Sequence, residues 1–176
     1  MRLRSELVRV ALTWERFYGV APSITSALSE FDAAVLLACS NSEYREIRHG
    51  MTAVTKGYDF RFRGKRYQIK ANRPSGKRGS VVTLVSKPRN YDWDYLIWIL
   101  YDRKYNIQEA WLHEMSRFRS KLGALERLRS AHLRTGRNII RRRLRAPRER
   151  HRVGNPKLGL AAPQRSPELN RRPKDS

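Results

Sequence analysis

The spacing of apolar and polar positions changes along this chain, and each change marks an element. Over residues 2–17, Leu3, Leu7, Val10, Leu12, Trp14 and Phe17 recur near helical spacing, although not as one clean stripe. Gly19 closes that segment. Ala21-Pro22-Ser23 opens a second helix reaching about Ala38, with Ile24, Leu28, Phe31, Val35 and Leu36 near helical period. Residues 41–55 are polar and irregular, with room for a short helix at 42–47. From residue 58 the period falls to two. Residues 58–63 and 66–70 alternate, and Gly64-Lys65 lies between them. Glycine in the first loop position predicts a hairpin closed by a type II′ turn. The segment PSGKRGS at 74–80 predicts a flexible turn, and 80–85 a third strand. The run YLIWILY within 94–101 does not alternate, which predicts a strand covered on both faces. Residues 107–113 predict a fifth strand and 114–129 a helix. The expected class is α/β, a mixed sheet of about five strands flanked by helices.

Charge divides the chain more sharply than periodicity does. The 176 residues hold 38 Lys and Arg against 16 Asp and Glu, a net charge of +22. Residues 1–113 hold 19 cations and 11 acids, and residues 114–176 hold 19 and 5. Self-repulsion at this level opposes compactness, so a polyanionic partner is its simplest reason. The expected plan is an N-terminal helix at 1–20, an α/β domain at 21–130 and an Arg-rich tail at 131–176. Five prolines lie in the last thirty residues of that tail, and its composition predicts little order. Arg141, Arg142 and Arg143 would neutralise phosphates without reading sequence.

Cys39 is the single cysteine, so no disulfide can form within the chain. No apolar run reaches the roughly 18 residues of a membrane span, and charges interrupt the first helix as they would not in a signal peptide. These features predict a cytoplasmic, nucleoid-associated protein with no membrane partner, and a homodimer is compatible with them.

Hairpin pairing brings candidate chemistry together. With Gly64 and Lys65 as the loop, Phe62 would face Tyr67, Arg61 would face Gln68, and Asp59 would face Lys70. Tyr58, Phe60, Phe62, Tyr67 and Ile69 then share an apolar face, and Asp59, Arg61, Gln68 and Lys70 share the other. That second face has parts suited to metal-assisted phosphodiester hydrolysis. Asp59 is a hard oxygen ligand for Mg²⁺ or Mn²⁺, and the Gln68 side-chain and Ile69 backbone carbonyls could add to it. Lys70 can orient water or stabilise phosphate charge, and Arg61 can hold a phosphate. Glu30, on the second helix, is the leading second acid, with Glu43 and Glu46 as substitutes. An ordinary amphipathic hairpin with an Asp59–Lys70 cross-strand pair would give the same pattern.

The segment GYDFRFRGKRYQIKANRPSG resembles the core of the PD-(D/E)XK nuclease superfamily, which includes type II and Mrr-type restriction enzymes and Holliday-junction resolvases. The resemblance spans about residues 22–113. It implies a restriction-endonuclease-like fold and a metal-dependent enzyme that hydrolyses DNA. Asp59 matches the first acid, Gln68-Ile69-Lys70 the triplet in its Gln variant, similar to the Mrr-type branch, and Glu30 the helix acid. Gly57-Tyr58-Asp59 stands in place of Pro-Asp, and Gln68 brings no charge to a metal. Two other readings stay open: a non-catalytic nucleic-acid-binding module on the same fold, and an RNA-associated basic protein.

Outside this constellation, Lys77 and Arg78 lie among Ser and Gly, where cations and backbone amides can meet a phosphate. Asp92 and Asp94 read as loop residues, the four histidines lack ligand spacing, and Trp93, Trp98 and Trp111 read as core.

Overall fold

Helix α1 (Arg2–Tyr18) carries two apolar stripes rather than one, which is why its sequence gives no clean period. Ala11 is buried, and Val8 and Leu12 pack on the core, while Leu3, Leu7, Val10, Trp14 and Phe17 face outward. The computed structural model describes residues 2–49, 51 and 57–140. Arg141, Arg142, Arg143 and the rest of the basic tail lie outside the described residues.

Helices α2 (Thr25–Leu36) and α3 (Asn41–His49) follow. Ser40 and Glu43 cap α3 reciprocally: the Ser40 amide donates to Glu43 Oε2 at 2.7 Å, and the Glu43 amide donates to Ser40 Oγ at 3.2 Å. Strands β1 (Phe60–Phe62) and β2 (Lys65–Asn72) form the hairpin. After them come β3 (Leu84–Val85), β4 (Tyr95–Tyr101), β5 (Ile107–Glu114), α4 (Met115–Leu122), β6 (Leu128–Arg129), α5 (Ser130–Leu133) and β7 (Arg137–Asn138). The protein is therefore α/β, with a five-stranded mixed sheet in the order β1-β2-β4-β5-β7. The β2–β4 pair is parallel and the other pairs are antiparallel. Among the described residues no helix is long and apolar enough to cross a membrane.

Both faces of β4 are covered, as its unbroken apolar run requires. Ile97, Ile99 and Tyr101 join Phe60, Phe62, Tyr67 and Ile69 in one core, to which α2 adds Leu28, Ala33 and Ala34. Leu96 and Trp98 enter a second core with Trp93, Phe118, Leu128 and Leu133. Strand β1 starts only at Phe60, so Tyr58 leaves the alternation and packs on the second core.

Four expectations change. The hairpin turns at Arg63-Gly64, not Gly64-Lys65, with φ of +47° and +74°. Positive φ at both positions is the type I′ geometry, whose twist suits the flanking strands. Register moves by two residues, so Phe60 faces Tyr67 and Arg61 faces Arg66. A shift of two preserves which residues share a face. Tyr67 then stacks on Phe60 at 5.3 Å and on Tyr95 at 5.6 Å.

The expected third strand at 80–85 shrinks to β3, which pairs with β6 in a separate two-stranded sheet. Strand β4 takes the place beside β2. The helix expected over 114–129 ends at Leu122, and Lys87 Nζ donates to the freed carbonyls of Gly123 (2.7 Å) and Leu125 (2.9 Å). Finally, the fold continues past residue 130. Strand β7 pairs with β5, and Leu133 and Ile139 are buried.

Gly64→Ala tests the turn. An added Cβ meets nothing within 4 Å, so the cost is conformational alone. The expected loss is about 1–2 kcal/mol, measured by urea unfolding.

Candidate active site

Asp59 ends the approach to β1, and Gly57 shapes that approach. Gly57 has φ of +99°, and a Cβ there would come 3.0 Å from the Asp92 Cβ. A close pass of this kind requires glycine. Asp59 comes level with Gln68 rather than Lys70, because its amide donates to the Tyr67 carbonyl at 2.8 Å. Its Oδ2 accepts from the Ile69 backbone amide and from Gln68 Nε2, both at 2.5 Å. The carboxylate is thus fixed by two donors from the neighbouring strand.

Lys70 lies two residues along β2, on the same face as Gln68. Its charge draws the Asp59 carboxyl down, yet among the described residues its Nζ has no hydrogen-bond or ion-pair partner. The Asp59–Lys70 pair of an ordinary hairpin does not form. Glu30 arrives from α2, and its Oε2 accepts from Arg48 Nη1 at 2.8 Å. The same Arg48 nitrogen donates to the Asp59 carbonyl at 3.4 Å, so α3 ties the helix acid to the hairpin acid.

Electrostatically the two acids behave as a strained pair. Burial pushes the Asp59 carboxyl above its ordinary value, against the Ile69 amide, Lys70, Gln68 and Arg48. Burial also pushes Glu30 up. Arg48 opposes this, and the charge of Asp59 adds to it. Two partly desolvated carboxylates that repel one another favour a cation beside them, and the Arg48 guanidinium already answers part of that need.

Of the residues expected at the site, Glu30, Asp59, Gln68 and Lys70 come together. Arg61 shares the β-face of Gln68 and Lys70, and is exposed opposite Arg66. Arg66 is balanced by Asp94, whose Oδ2 accepts its amide at 2.7 Å. Lys77 and Arg78 are exposed on the loop after β2, and nothing described joins them to the cluster. Arg73 holds the foot of that loop: it pairs with Glu15 at 2.6 Å, donates to the Arg103 carbonyl and lies over the Tyr105 ring at 4.4 Å. Glu43 uses its carboxylate in the α3 cap, and Glu46 is exposed.

Arg48 is the residue that sequence reasoning missed. Only its place in the last turn of a short polar helix marked it, and a basic residue there is usual for helical reasons alone. Two carboxylates suit Mg²⁺ or Mn²⁺, because such ions retain several waters and need few protein ligands. Among the described residues no cluster of three or more His, Cys, Asp or Glu could hold a metal. Any site therefore rests on Glu30 and Asp59, with Gln68 as a neutral auxiliary. Comparison with protein-family models and with curated proteins finds no match for this chain.

Proposed function

We propose that this protein is a metal-dependent nuclease that hydrolyses DNA phosphodiester bonds, built on a restriction-endonuclease-like domain of PD-(D/E)XK type. One observation carries the reading: Glu30 on α2 is held beside the hairpin acid, because Arg48 Nη1 donates both to Glu30 Oε2 at 2.8 Å and to the Asp59 carbonyl at 3.4 Å. Glu30 and Asp59 would hold Mg²⁺ or Mn²⁺, and Gln68 would turn its amide oxygen inward as the auxiliary ligand. A bound divalent cation supplies Lewis-acid polarisation of the phosphate. Lys70 orients the attacking water and meets charge developing on the phosphate oxygens. Asp59, fixed by Ile69 and Gln68, gives the cluster a rigid reference point. Arg61 steadies a neighbouring phosphate, and Lys77, Arg78 and the tail arginines add sequence-independent attraction.

A second reading, a nucleic-acid-binding module without catalysis, has Gln68 in its favour. The Gln68 amide nitrogen is committed to Asp59, and the side chain brings no charge.

Metal binding has a test that needs no turnover. Both carboxyls titrate above their ordinary range in the folded protein, so their contribution to stability is present at acid pH and lost as pH rises through the raised values. Ionised at neutral pH, the pair costs stability that a cation restores. Mg²⁺ or Mn²⁺ is expected to raise the melting temperature of the wild type at neutral pH. The shift should fade as pH falls toward the carboxylate range. Glu30→Gln is expected to lose the metal-induced shift, whatever its own melting temperature without metal, since it also gives up the charge of the Arg48 pair. A metal shift undiminished in Glu30→Gln would remove Glu30 from the site.

A further inference from the structure

Between β5, α4 and the turn into β7 lies a hollow of about 380 Å³, at the other edge of the sheet from the hairpin cluster. Arg117 and Lys121, one turn apart on α4, line it with Arg137 at the start of β7. Phe118 and Leu122, each the next residue along, seat α4 in the second core and leave Arg117 and Lys121 exposed. The turn into β7 needs glycine. A Cβ on Gly136 would come 2.6 Å from His113 Nε2 and 2.8 Å from the Leu112 carbonyl oxygen. Without one, the turn closes over β5, and Arg137 pairs opposite Leu112 at the rim of the hollow.

The side-chain donors left open here suit an anion. His113 Nε2 lies 2.9 Å from the Leu133 carbonyl, which only accepts, so that nitrogen's proton is committed. Burial keeps the ring below its ordinary value and so uncharged at neutral pH. Thr135 Oγ1 donates to the His132 carbonyl at 2.7 Å. Open donors remain on Arg117, Lys121, Arg137 and the Tyr95 hydroxyl. Arg4, Arg48, Arg66, Arg73 and Arg134 each have an acid, but these three cations have none among the described residues. Glu114 is the one acid lining the hollow, and it too forms no ion pair among the described residues. Forked guanidinium donors match an oxyanion, and its binding relieves repulsion among the cations.

Basic charge continues along the same end of the sheet. The hairpin turn, the start of β4 and the end of β5 lie together there, which adds Arg63 and Lys65. The Tyr67 hydroxyl, raised by burial and by Tyr95, is drawn down by both Arg63 and Arg137. From that turn to β7 is three to four strand spacings, roughly 14–19 Å, which suits a chain of anions better than a single one. We propose that the hollow is a phosphate site that anchors the backbone of a nucleic acid, separate from the Glu30–Asp59 cluster. The assignment does not rest on the nuclease reading, because a binding module would use the same anchor.

Inorganic phosphate tests the hollow alone, and binding without metal keeps the result apart from cleavage. In the isotope-labelled full chain, the amides of Thr135, Gly136 and Arg137 are expected to shift saturably with phosphate, ahead of those of Arg9 and Arg16. Arg117→Gln with Lys121→Gln and Arg137→Gln should abolish those shifts. Arg9→Gln with Arg16→Gln and Lys104→Gln removes the same charge elsewhere, and all six side chains are exposed. The hollow variant is expected to weaken metal-free binding of a short DNA about tenfold and to lower its salt slope by about one, against about twofold for the control variant. Two oligonucleotides identify the source of the phosphate. If only the one with a terminal phosphate displaces inorganic phosphate, a chain end occupies the hollow; if both do so equally, an internal diester does. Shifts spread evenly over exposed cations, or equal losses in the two variants, would overturn the proposal. Phosphate shifts that neither oligonucleotide disturbs would overturn the nucleic-acid assignment, as would an acidic peptide that moves the Gly136 amide at lower concentration than DNA.

Discussion

Asp32→Ala is expected to cost the folded domain about 2–4 kcal/mol, because it leaves the half-buried Arg4 guanidinium and the buried Tyr101 hydroxyl without their acceptor. Asp32 is 4% exposed and accepts bidentately from Arg4, from Nε at 2.6 Å and from Nη2 at 2.7 Å. Its Oδ2 also accepts from the Tyr101 hydroxyl at 2.7 Å, and Arg4 Nη2 donates to the Tyr105 carbonyl at 2.9 Å. One carboxylate therefore ties α1, α2 and β4 together. Burial and Asp32 push the Tyr101 hydroxyl well above the usual phenol range, so it stays a donor at all ordinary pH. Tyr101→Phe removes only that donor, and is expected to cost about 1–2 kcal/mol. Urea midpoints at constant m-value measure both. An Asp32→Ala loss below that of Tyr101→Phe would mean that Arg4 finds another partner.

Lys70→Ala is expected to lower the cleavage rate by about 10²–10³-fold while leaving DNA affinity nearly unchanged. Lys70 acts on the Asp59 carboxylate through its charge and forms no ion pair with it, so it contributes little to folding. One cation among many changes non-specific binding only slightly. Arg61→Ala should do the reverse, weakening binding and its salt dependence with a smaller effect on the single-turnover rate. If Lys70→Ala and Arg61→Ala gave the same pattern, Lys70 would be another phosphate contact rather than a catalytic residue.

Much of this arrangement was legible because side-chain period survives errors of detail. The turn was misplaced by one residue, yet the register moved by two, and Phe60, Phe62, Tyr67 and Ile69 stayed on the core face. Asp59, Gln68 and Lys70 lie within a dozen residues on adjacent strands, so local pairing alone nearly assembles them. Glu30 was a candidate because a metal site needs a second acid and the second helix carries one, but nothing local tells which helix turn will face a hairpin. Arg48 was not legible. Its role depends on how α3 meets both α2 and β1, which is a tertiary fact.

Other misses have the same origin. The helix over 114–129 was cut short at Gly123, where Lys87 from a distant loop binds the carbonyls. The strand over 80–85 lost its place in the main sheet to β4, a competition that no short window of sequence records. The two stripes of α1 were read as one imperfect stripe, because both are apolar and only packing divides them.

The nuclease reading is tested most directly by incubating the wild type with supercoiled plasmid and Mg²⁺ or Mn²⁺, beside Lys70→Ala and an EDTA control. The expected result is nicking by the wild type that needs the metal and disappears in the variant. Salt-sensitive DNA binding by the wild type with no nicking would contradict it, and would leave the same cluster as part of a binding module.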